Sequence, residues 1–349
     1  MIHREAYYGG SALSIRVTTH YREHSKTDES GGYRDSGSDI AYALYQRGWN
    51  IATPKDAPDP SHESDWVFAD TRDGMALAHE RGANTFWTNT VLYEDHPIDD
   101  LAFDPYRIGQ ATPLALIVEN KAVMEDWLTQ RGFSAVEHDL LSVSDAAIPP
   151  GPFPLVVKPV RGRGSQGVAW VKTVQEFRRV MHEWPKELYG GHALVETALP
   201  GQEITVAVMP QGRYSLGGRW VVKDRVWALP LVERFSQVDG IMPYSRVVPV
   251  LENSRVIVEA ALNYRDIIGE CVGAGESLGI RAPIRIDARM DESGRFRMFD
   301  VNMKPNFTGP GRPGRENAVS LMGLAAQAVG WDYRDLVENV AGQAWKPSR

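Results

Sequence analysis

Two stretches of this 349-residue chain place side chains where they can handle phosphate and a metal ion. In the first, Val156-Val157-Lys158-Pro159 sets a lysine in an otherwise apolar run, and a glycine-rich segment from Arg161 to Gly167 follows. A lysine in a buried strand must find an anion or give up its proton. Phosphate is the natural anion beside a loop with free backbone N–H groups flanked by Arg161 and Arg163. Gly162-Arg163-Gly164-Ser165-Gln166-Gly167 matches the dinucleotide pattern GxGxxG, but that motif needs a helix directly after its last glycine. Here Val168-Ala169-Trp170-Val171 reads as a strand, and the next helix waits for a cap at Thr173, with Glu176 completing a capping box. The loop therefore joins two strands, and without a closing Gly-Lys-Ser/Thr it is not a Walker A loop. A plain hairpin turn with snorkelling Arg and Lys side chains accounts for the same residues without a ligand.

The second stretch is Pro283-Ile284-Arg285-Ile286-Asp287-Ala288-Arg289-Met290, a four-residue turn Asp291–Gly294, and Arg295 to Asn302. Setting Met290 opposite Arg295 brings Arg285 opposite Asp300 and Asp287 opposite Met298. Alternation then puts Arg285, Asp287, Asp300 and Asn302 on one face and Ile284, Ile286, Phe299 and Val301 on the other. Two carboxylates and an amide oxygen are hard ligands of the kind Mg²⁺ takes alongside substrate phosphates, and Arg285 stands where it would neutralise a developing oxyanion. A solvated face with an Arg–Asp cross-strand pair fits the same pattern. Between the two stretches, Val195 to Glu203 carries Glu196 and Glu203 at either end of a short apolar turn. Its backbone and carboxylates suit a purine edge and a ribose hydroxyl.

The surrounding elements divide the chain into lobes. Helix Ser38–Arg47, strand Trp49–Ala52 and strand Trp66–Ala69 alternate as in a parallel sheet. A helix from Leu114 through Lys121 to Gly132 opens a new lobe, and the strand, loop, strand and helix just described continue it. Beyond lie strands at Ala193–Glu196 and Ile204–Met209, a polar stretch from Arg213 to Tyr244, a helix from Val256 to Cys271, the acidic hairpin and a final helix.

Together these motifs resemble the ATP-grasp superfamily, and within it the D-alanine–D-alanine ligase-like branch, from about Leu114 to the C-terminal helix. The resemblance implies an α/β (α+β) fold of three lobes: an N-terminal α/β lobe over 1–112, a central lobe with the glycine-rich loop over 113–192, and a C-terminal lobe with the metal site over 193–349, the last two clamping ATP. It implies that Lys121 and Lys158 bind the ATP phosphates and that Arg161, Gly164, Ser165 and Gly167 close over them. Glu196 would meet the adenine amine, Ala198 and Leu199 the ring through backbone, and Glu203 the ribose. Asp287, Asp300 and Asn302 match positions that hold two Mg²⁺ ions, and Arg285 matches the transition-state arginine.

The chain also departs from the pattern. Asp300 stands where the family usually has a glutamate. After Asn302 comes Met303-Lys304-Pro305-Asn306-Phe307-Thr308-Gly309-Pro310-Gly311-Arg312, which sets Lys304 and Asn306 at the reaction centre and offers Arg312 and Arg315 for a substrate carboxylate. In the N-terminal lobe only Gly9-Gly10-Ser11 echoes the family's glycine motif, so the first-substrate site cannot be carried over. The expected reaction is ATP-dependent activation of a carboxylate as an acyl-phosphate, attack by an amine, and release of ADP and phosphate. Three other readings stand beside it: another ATP-grasp branch, a non-catalytic ATP-binding module, and an NAD(P)-dependent oxidoreductase suggested by GxGxxG.

Composition narrows the setting. A formal charge of −7 and no Lys/Arg block argue against a nucleic-acid partner. No apolar run nears the roughly 20 residues of a membrane span, and the single cysteine, Cys271, fits a small buried hydrophobe in a reducing compartment. The expectation is a cytoplasmic protein acting on small carboxylate and amine substrates, with the homodimer common in the family as its assembly. His20 and His24, four apart but with no third ligand, read as surface residues. Glu233, Arg234 and Tyr244 fall where a lid would touch substrate.

Overall fold

The computed structural model describes residues 16–22, 33–144, 148–243, 248–257 and 262–347. Gly9 to Ser11, His24 and Tyr244 lie outside them. In the first lobe, strands β1 (Arg16–Tyr21), β2 (Asn50–Ile51), β3 (Val67–Ala69), β4 (Thr85–Trp87) and β5 (Tyr106–Ile108) pair in parallel throughout, as strand and helix alternation demanded. Helices α1 (Arg34–Gln46) and α2 (Arg72–Glu80) connect them, α1 starting four residues before the expected Ser38. His20 is on β1 and fully buried, not on the surface; its ring lies 4.8 Å from that of Phe86, and burial lowers its pKa to about 4.

The helix expected through Lys121 is two helices, α3 (Thr112–Glu119) and α4 (Lys121–Gln130). They break at Asn120, whose side chain caps α4 by accepting from the Val123 N–H. The Lys121 N–H donates to the Val160 carbonyl at 3.0 Å, tying the start of α4 to the chain just ahead of the glycine-rich loop.

The central lobe is an antiparallel sheet of β6 (His138–Ser142), β7 (Leu155–Pro159), β8 (Ala169–Val171) and β9 (His192–Thr197), in the order β6-β9-β7-β8, with α5 (Val174–His182) and α6 (Lys186–Tyr189) between β8 and β9. The glycine-rich loop links the antiparallel pair β7 and β8, which is incompatible with a dinucleotide-binding turn. Strand β9, most of which the expected boundary at 193 gave to the third lobe, hydrogen-bonds on both sides within this sheet.

In the third lobe, β10 (Glu203–Met209) is followed by β11 (Gly212–Leu216), β12 (Arg219–Lys223), β13 (Trp227–Ala228), β14 (Val232–Arg234), α7 (Val250–Asn253), β15 (Ser254–Val256) and α8 (Leu262–Leu278). Then come β16 (Ile284–Met290), β17 (Phe296–Asn302), α9 (Leu321–Gln327) and α10 (Tyr333–Ala341). The polar stretch after Arg213 thus forms strands, and Val256 ends a strand instead of opening the helix that carries Cys271. Every residue of β10 is buried because both its faces are covered. Ile204, Val206 and Val208 pack with Ile267, Cys271 and Ala274 of α8, while Ala207 and Met209 join a core shared by α9, α10 and the first lobe.

That shared core joins the first lobe to the third. Ile40 and Leu44 of α1 belong to the same apolar cluster as Leu336 and Val340 of α10. Trp49 donates from Nε1 to Glu338 at 2.9 Å, and Arg47 pairs with Asp335 at 2.6 Å. Gly311 lies so close to the Asp39 backbone that a Cβ would overlap it.

Candidate active site

A cleft opens between the β7–β8 hairpin and the β16–β17 hairpin, and most of the chemistry-bearing residues read from the sequence line it. Lys121, Lys158, Gly164, Ser165, Glu196, Leu199, Glu203, Arg285, Asp287, Asp300, Asn302, Lys304 and Asn306 all face this one space.

The acidic hairpin reaches that geometry by a register different from the expected one. Its turn is five residues long, so Met290 faces Phe296, and a β-bulge that inserts Phe299 of β17 opposite the Asp287–Ala288 step of β16 adds a second one-residue slip. One slip would reverse the faces of β17, and the second restores them. Arg285 therefore faces Asn302 and Asp287 faces Asp300, so the four polar residues still share a face. Met298 moves to the buried core beside Ala288. Phe299, the bulged residue, turns into the cleft instead of the core, where its ring lies 5.9 Å from Lys158 Nζ.

Each acid on this face is engaged by a cation or a donor. Arg285 binds Asp287 through both oxygens, at 3.0 and 2.8 Å, and Thr205 donates to the same carboxylate at 2.7 Å. Lys121 pairs with Asp300. Burial alone would raise the Asp300 carboxyl, but Lys121, Lys158 and Arg285 outweigh it and hold the pKa at about 2. Asn302 Oδ1 accepts from Arg163 Nη1 at 3.1 Å and from the Lys304 N–H at 3.2 Å. Asp287, Asp300 and Asn302 thus form a hard-oxygen donor set satisfied by cationic side chains, which fits a divalent cation. Among the described residues no group of three or more His, Cys, Asp or Glu could hold a metal ion; the donor set here is two carboxylates and an amide oxygen.

Lys158 is buried between two glutamates. It donates to Glu125 at 3.0 Å and to the Phe299 carbonyl at 2.9 Å, and it pairs with Glu196. Burial disfavours its charge, but Glu125, Glu196 and Asp300 outweigh that and hold the ammonium above the usual lysine range. Glu125 itself is pushed well above the carboxylate range, by burial first and Glu196 second. Sequence reasoning missed Glu125. Its signal was an acid on the buried stripe of α4, three residues from Ala122 and from Leu128. Glu203 lies near Arg234 at 3.5 Å and Arg289 at 3.8 Å, and its carboxyl is raised by burial.

The glycine-rich loop is folded onto this face. Arg163 reaches Asn302 Oδ1 and the Lys304 carbonyl, the latter at 3.0 Å, and pairs with Glu119. Ser165 donates to the Met242 carbonyl at 3.0 Å on the opposite rim. Gly164 and Gly167 have φ of +66° and +71°. A Cβ on Gly167 would stand 2.5 Å from the Tyr189 ring, so this position requires glycine. Lys304 Nζ lies 3.1 Å from the centre of the Tyr33 ring, and Asn306 Oδ1 holds the following turn by accepting from Thr308 N and Oγ1 at 2.9 and 2.8 Å.

Other expected site residues fall outside the cleft. Arg161 is exposed, and Ala198 is buried with its N–H donated to the Pro154 carbonyl at 3.2 Å. Gly167 shapes the loop from behind. Arg312 and Arg315, expected to hold substrate, instead tie the third lobe to the first. Arg312 is buried against Asp39 at 2.9 Å and Glu63 at 3.2 Å, and Arg315 pairs with Asp39 at 3.1 Å and Asp35 at 3.2 Å. Glu233 is held by Arg255 at 2.6 Å and Gln202 at 2.7 Å, and Arg234 lines the cleft.

Comparison with known proteins agrees with this architecture. Residues 128–341 match the model of the D-ala D-ala ligase C-terminus family. D-alanine--D-alanine ligase B of Pseudomonas putida is 26% identical over 197 residues, 53% of this chain and 50% of that enzyme, so the match spans about half the length of that relative. The D-alanine--D-alanine ligase of Francisella tularensis is 26% identical over 256 residues, 73% of this chain and 69% of that protein. Among solved structures, D-alanine--D-alanine ligase from Bacillus anthracis complexed with ATP superposes with a TM-score of 0.64 at 14% identity, covering 94% of this chain and 96% of that one. The VanG D-Ala:D-Ser ligase from Enterococcus faecalis gives 0.61 at 15% identity, covering 95% and 99%.

Proposed function

This chain belongs to the D-ala D-ala ligase C-terminus family and has the ATP-grasp fold, and we propose that it is an ATP-dependent carboxylate–amine ligase that releases ADP and phosphate. The observation that carries the reading is the shared face of Arg285, Asp287, Asp300 and Asn302 opposite Lys121, Lys158 and a folded glycine-rich loop. Phosphoryl transfer asks for positioning and charge neutralisation more than for covalent chemistry by the protein, and this face concentrates both.

Asp287, Asp300 and Asn302 would hold Mg²⁺, which when bound neutralises charge on the transferring phosphoryl group. Lys121 and Lys158 bind phosphate oxygens of ATP, and the glycine-rich loop covers them and excludes water that would hydrolyse an acyl-phosphate. Leu199 packs on the adenine ring, while Glu196 and Glu203 accept from its amine and the ribose. A carboxylate oxygen of the first substrate attacks the γ-phosphorus and ADP leaves. The amine of the second substrate then attacks the acyl carbon and displaces phosphate, with Arg285 stabilising the tetrahedral oxyanion. Lys304 and Asn306 sit beside the acyl group. The substrates are small carboxylates and amines, amino acids foremost.

The test is turnover with ATP, Mg²⁺ and a pool of amino acids and small carboxylates, resolving ADP from AMP and weighing the products. ADP, phosphate and a condensed product lighter than its parts by one water support the ligase. AMP release would replace the acyl-phosphate by adenylate chemistry, and ATP binding without turnover by any pool would favour a binding module.

A further inference from the structure

Asn302 has one side-chain oxygen and two claims on it beyond the metal. Its lone pairs accept from Arg163 Nη1 at 3.1 Å and from the Lys304 N–H at 3.2 Å, which is the full capacity of an amide oxygen. The Lys304 donor is backbone and is fixed by the turn after β17. The Arg163 donor comes from another lobe, on a loop whose Ser165 is anchored to Met242 across the cleft. The same guanidinium also holds the Lys304 carbonyl at 3.0 Å and pairs with Glu119 at the end of α3. It is the side chain through which the glycine-rich loop reaches the face that carries Asp287 and Asp300.

Resting on the metal assignment above, we propose that Arg163 is a positioning residue of the metal site: its guanidinium holds Asn302 Oδ1 and yields that oxygen to the divalent cation. A guanidinium and a divalent cation repel each other at hydrogen-bonding range, and the oxygen has no third lone pair, so the two cannot share it. Metal entry and release of Arg163 from Asn302 are then a single exchange. Because Arg163 belongs to the loop, the exchange also frees one of the loop's anchors at the moment the metal arrives. Glu119 and the Lys304 carbonyl remain as its partners.

The test is a double-mutant cycle on metal affinity, which does not depend on turnover. Mn²⁺ binding to the complex with a non-hydrolysable β,γ-imido analogue of ATP is measured by electron paramagnetic resonance for the native chain, Arg163→Gln, Asn302→Ala and the double variant. Arg163→Gln should bind Mn²⁺ about tenfold more tightly, the scale of one charge-assisted hydrogen bond. In the Asn302→Ala background the same change should alter affinity by less than about twofold, since the contested oxygen is gone. Equal tightening in both backgrounds would mean a long-range charge effect and overturn the proposal while leaving the metal assignment intact. Absence of Mn²⁺ binding to the native complex, with the analogue still bound, would withdraw the metal assignment and the proposal together. A second readout needs no variant: amide hydrogen exchange over Gly164 to Gly167 should rise several-fold when saturating Mn²⁺ is added without nucleotide, and unchanged exchange would count against the exchange of partners.

Discussion

Replacing Lys158 with methionine tests how the cleft stores charge. The substitution keeps an apolar stem of similar length and removes the ammonium that stands between Glu125 and Glu196. With the partner gone, two buried carboxylates face each other across a space that water enters poorly. Removing one member of a buried ion pair costs roughly 3–5 kcal/mol. With a urea dependence of roughly 3 kcal/mol per molar, the midpoint of unfolding should fall by about 1 to 1.7 M at pH 7. The deficit should depend on pH in a definite direction. The Glu125 carboxyl already titrates well above its ordinary 4.5 in the folded chain, from burial and from Glu196, with Lys158 opposing. Loss of Lys158 raises it further. A carboxyl raised in the folded state weakens folding above its unfolded pKa, where the unfolded chain ionises and the folded one resists. The deficit should therefore be small near pH 4.5, grow toward pH 7, and shrink again at pH 7 when Glu125→Gln is added to Lys158→Met. Urea unfolding of the single and double variants at several pH values measures all three. A loss below about 1 kcal/mol at pH 7, or a deficit independent of pH, would refute Lys158 as the countercharge of this buried pair.

Two further outcomes separate residues that act from residues that hold. Arg285→Ala should lower turnover by about two orders of magnitude or more, as loss of an oxyanion donor does, while calorimetric ATP affinity stays within about threefold; unchanged turnover removes Arg285 from the mechanism. Arg315→Gln should lower the thermal midpoint through its lost pairs with Asp39 and Asp35 and leave KM for either substrate within about twofold, a larger KM effect returning Arg315 to the substrate site.

The parts of this site that were legible in the sequence are those governed by short-range rules. Alternation along Ile284 to Asp287 and Asp300 to Asn302 put the polar residues on one face, and the strand after Gly167 forced the loop between two strands. What could not be read depends on registration or on distance along the chain. The turn of the acidic hairpin is closed by Asp291, whose Oδ1 accepts from Ser293 N at 2.9 Å and Arg295 N at 3.0 Å, with Gly294 at φ +80°. That chemistry makes a loop one residue longer than the one assumed. The bulge at Phe299 has no local signature, and only the buried surroundings of Met298 select it. Arg312 has the composition of a carboxylate clamp, but its partner Asp39 is 273 residues away, and no pattern of spacing encodes that contact.

The pairings across the cleft bear on how its proposed ligands arrive. Lys121 sits on Asp300, Arg285 on Asp287 and Arg163 on Asn302, so each group proposed for metal is covered by a cationic side chain. A divalent cation alone would displace Lys121 and Arg285 from the carboxylates they hold. A nucleotide alone draws the lysines away and leaves Asp300 uncovered in a partly buried site, where an unpaired charge is expensive. Arriving together, metal and triphosphate give every displaced group a new partner of opposite sign: the acids take the metal and the cations take the phosphates. On the proposed assignments, binding of the two is reciprocal, each strengthening the other by the same factor, through cations from α4, β16 and the glycine-rich loop seated on one hairpin face.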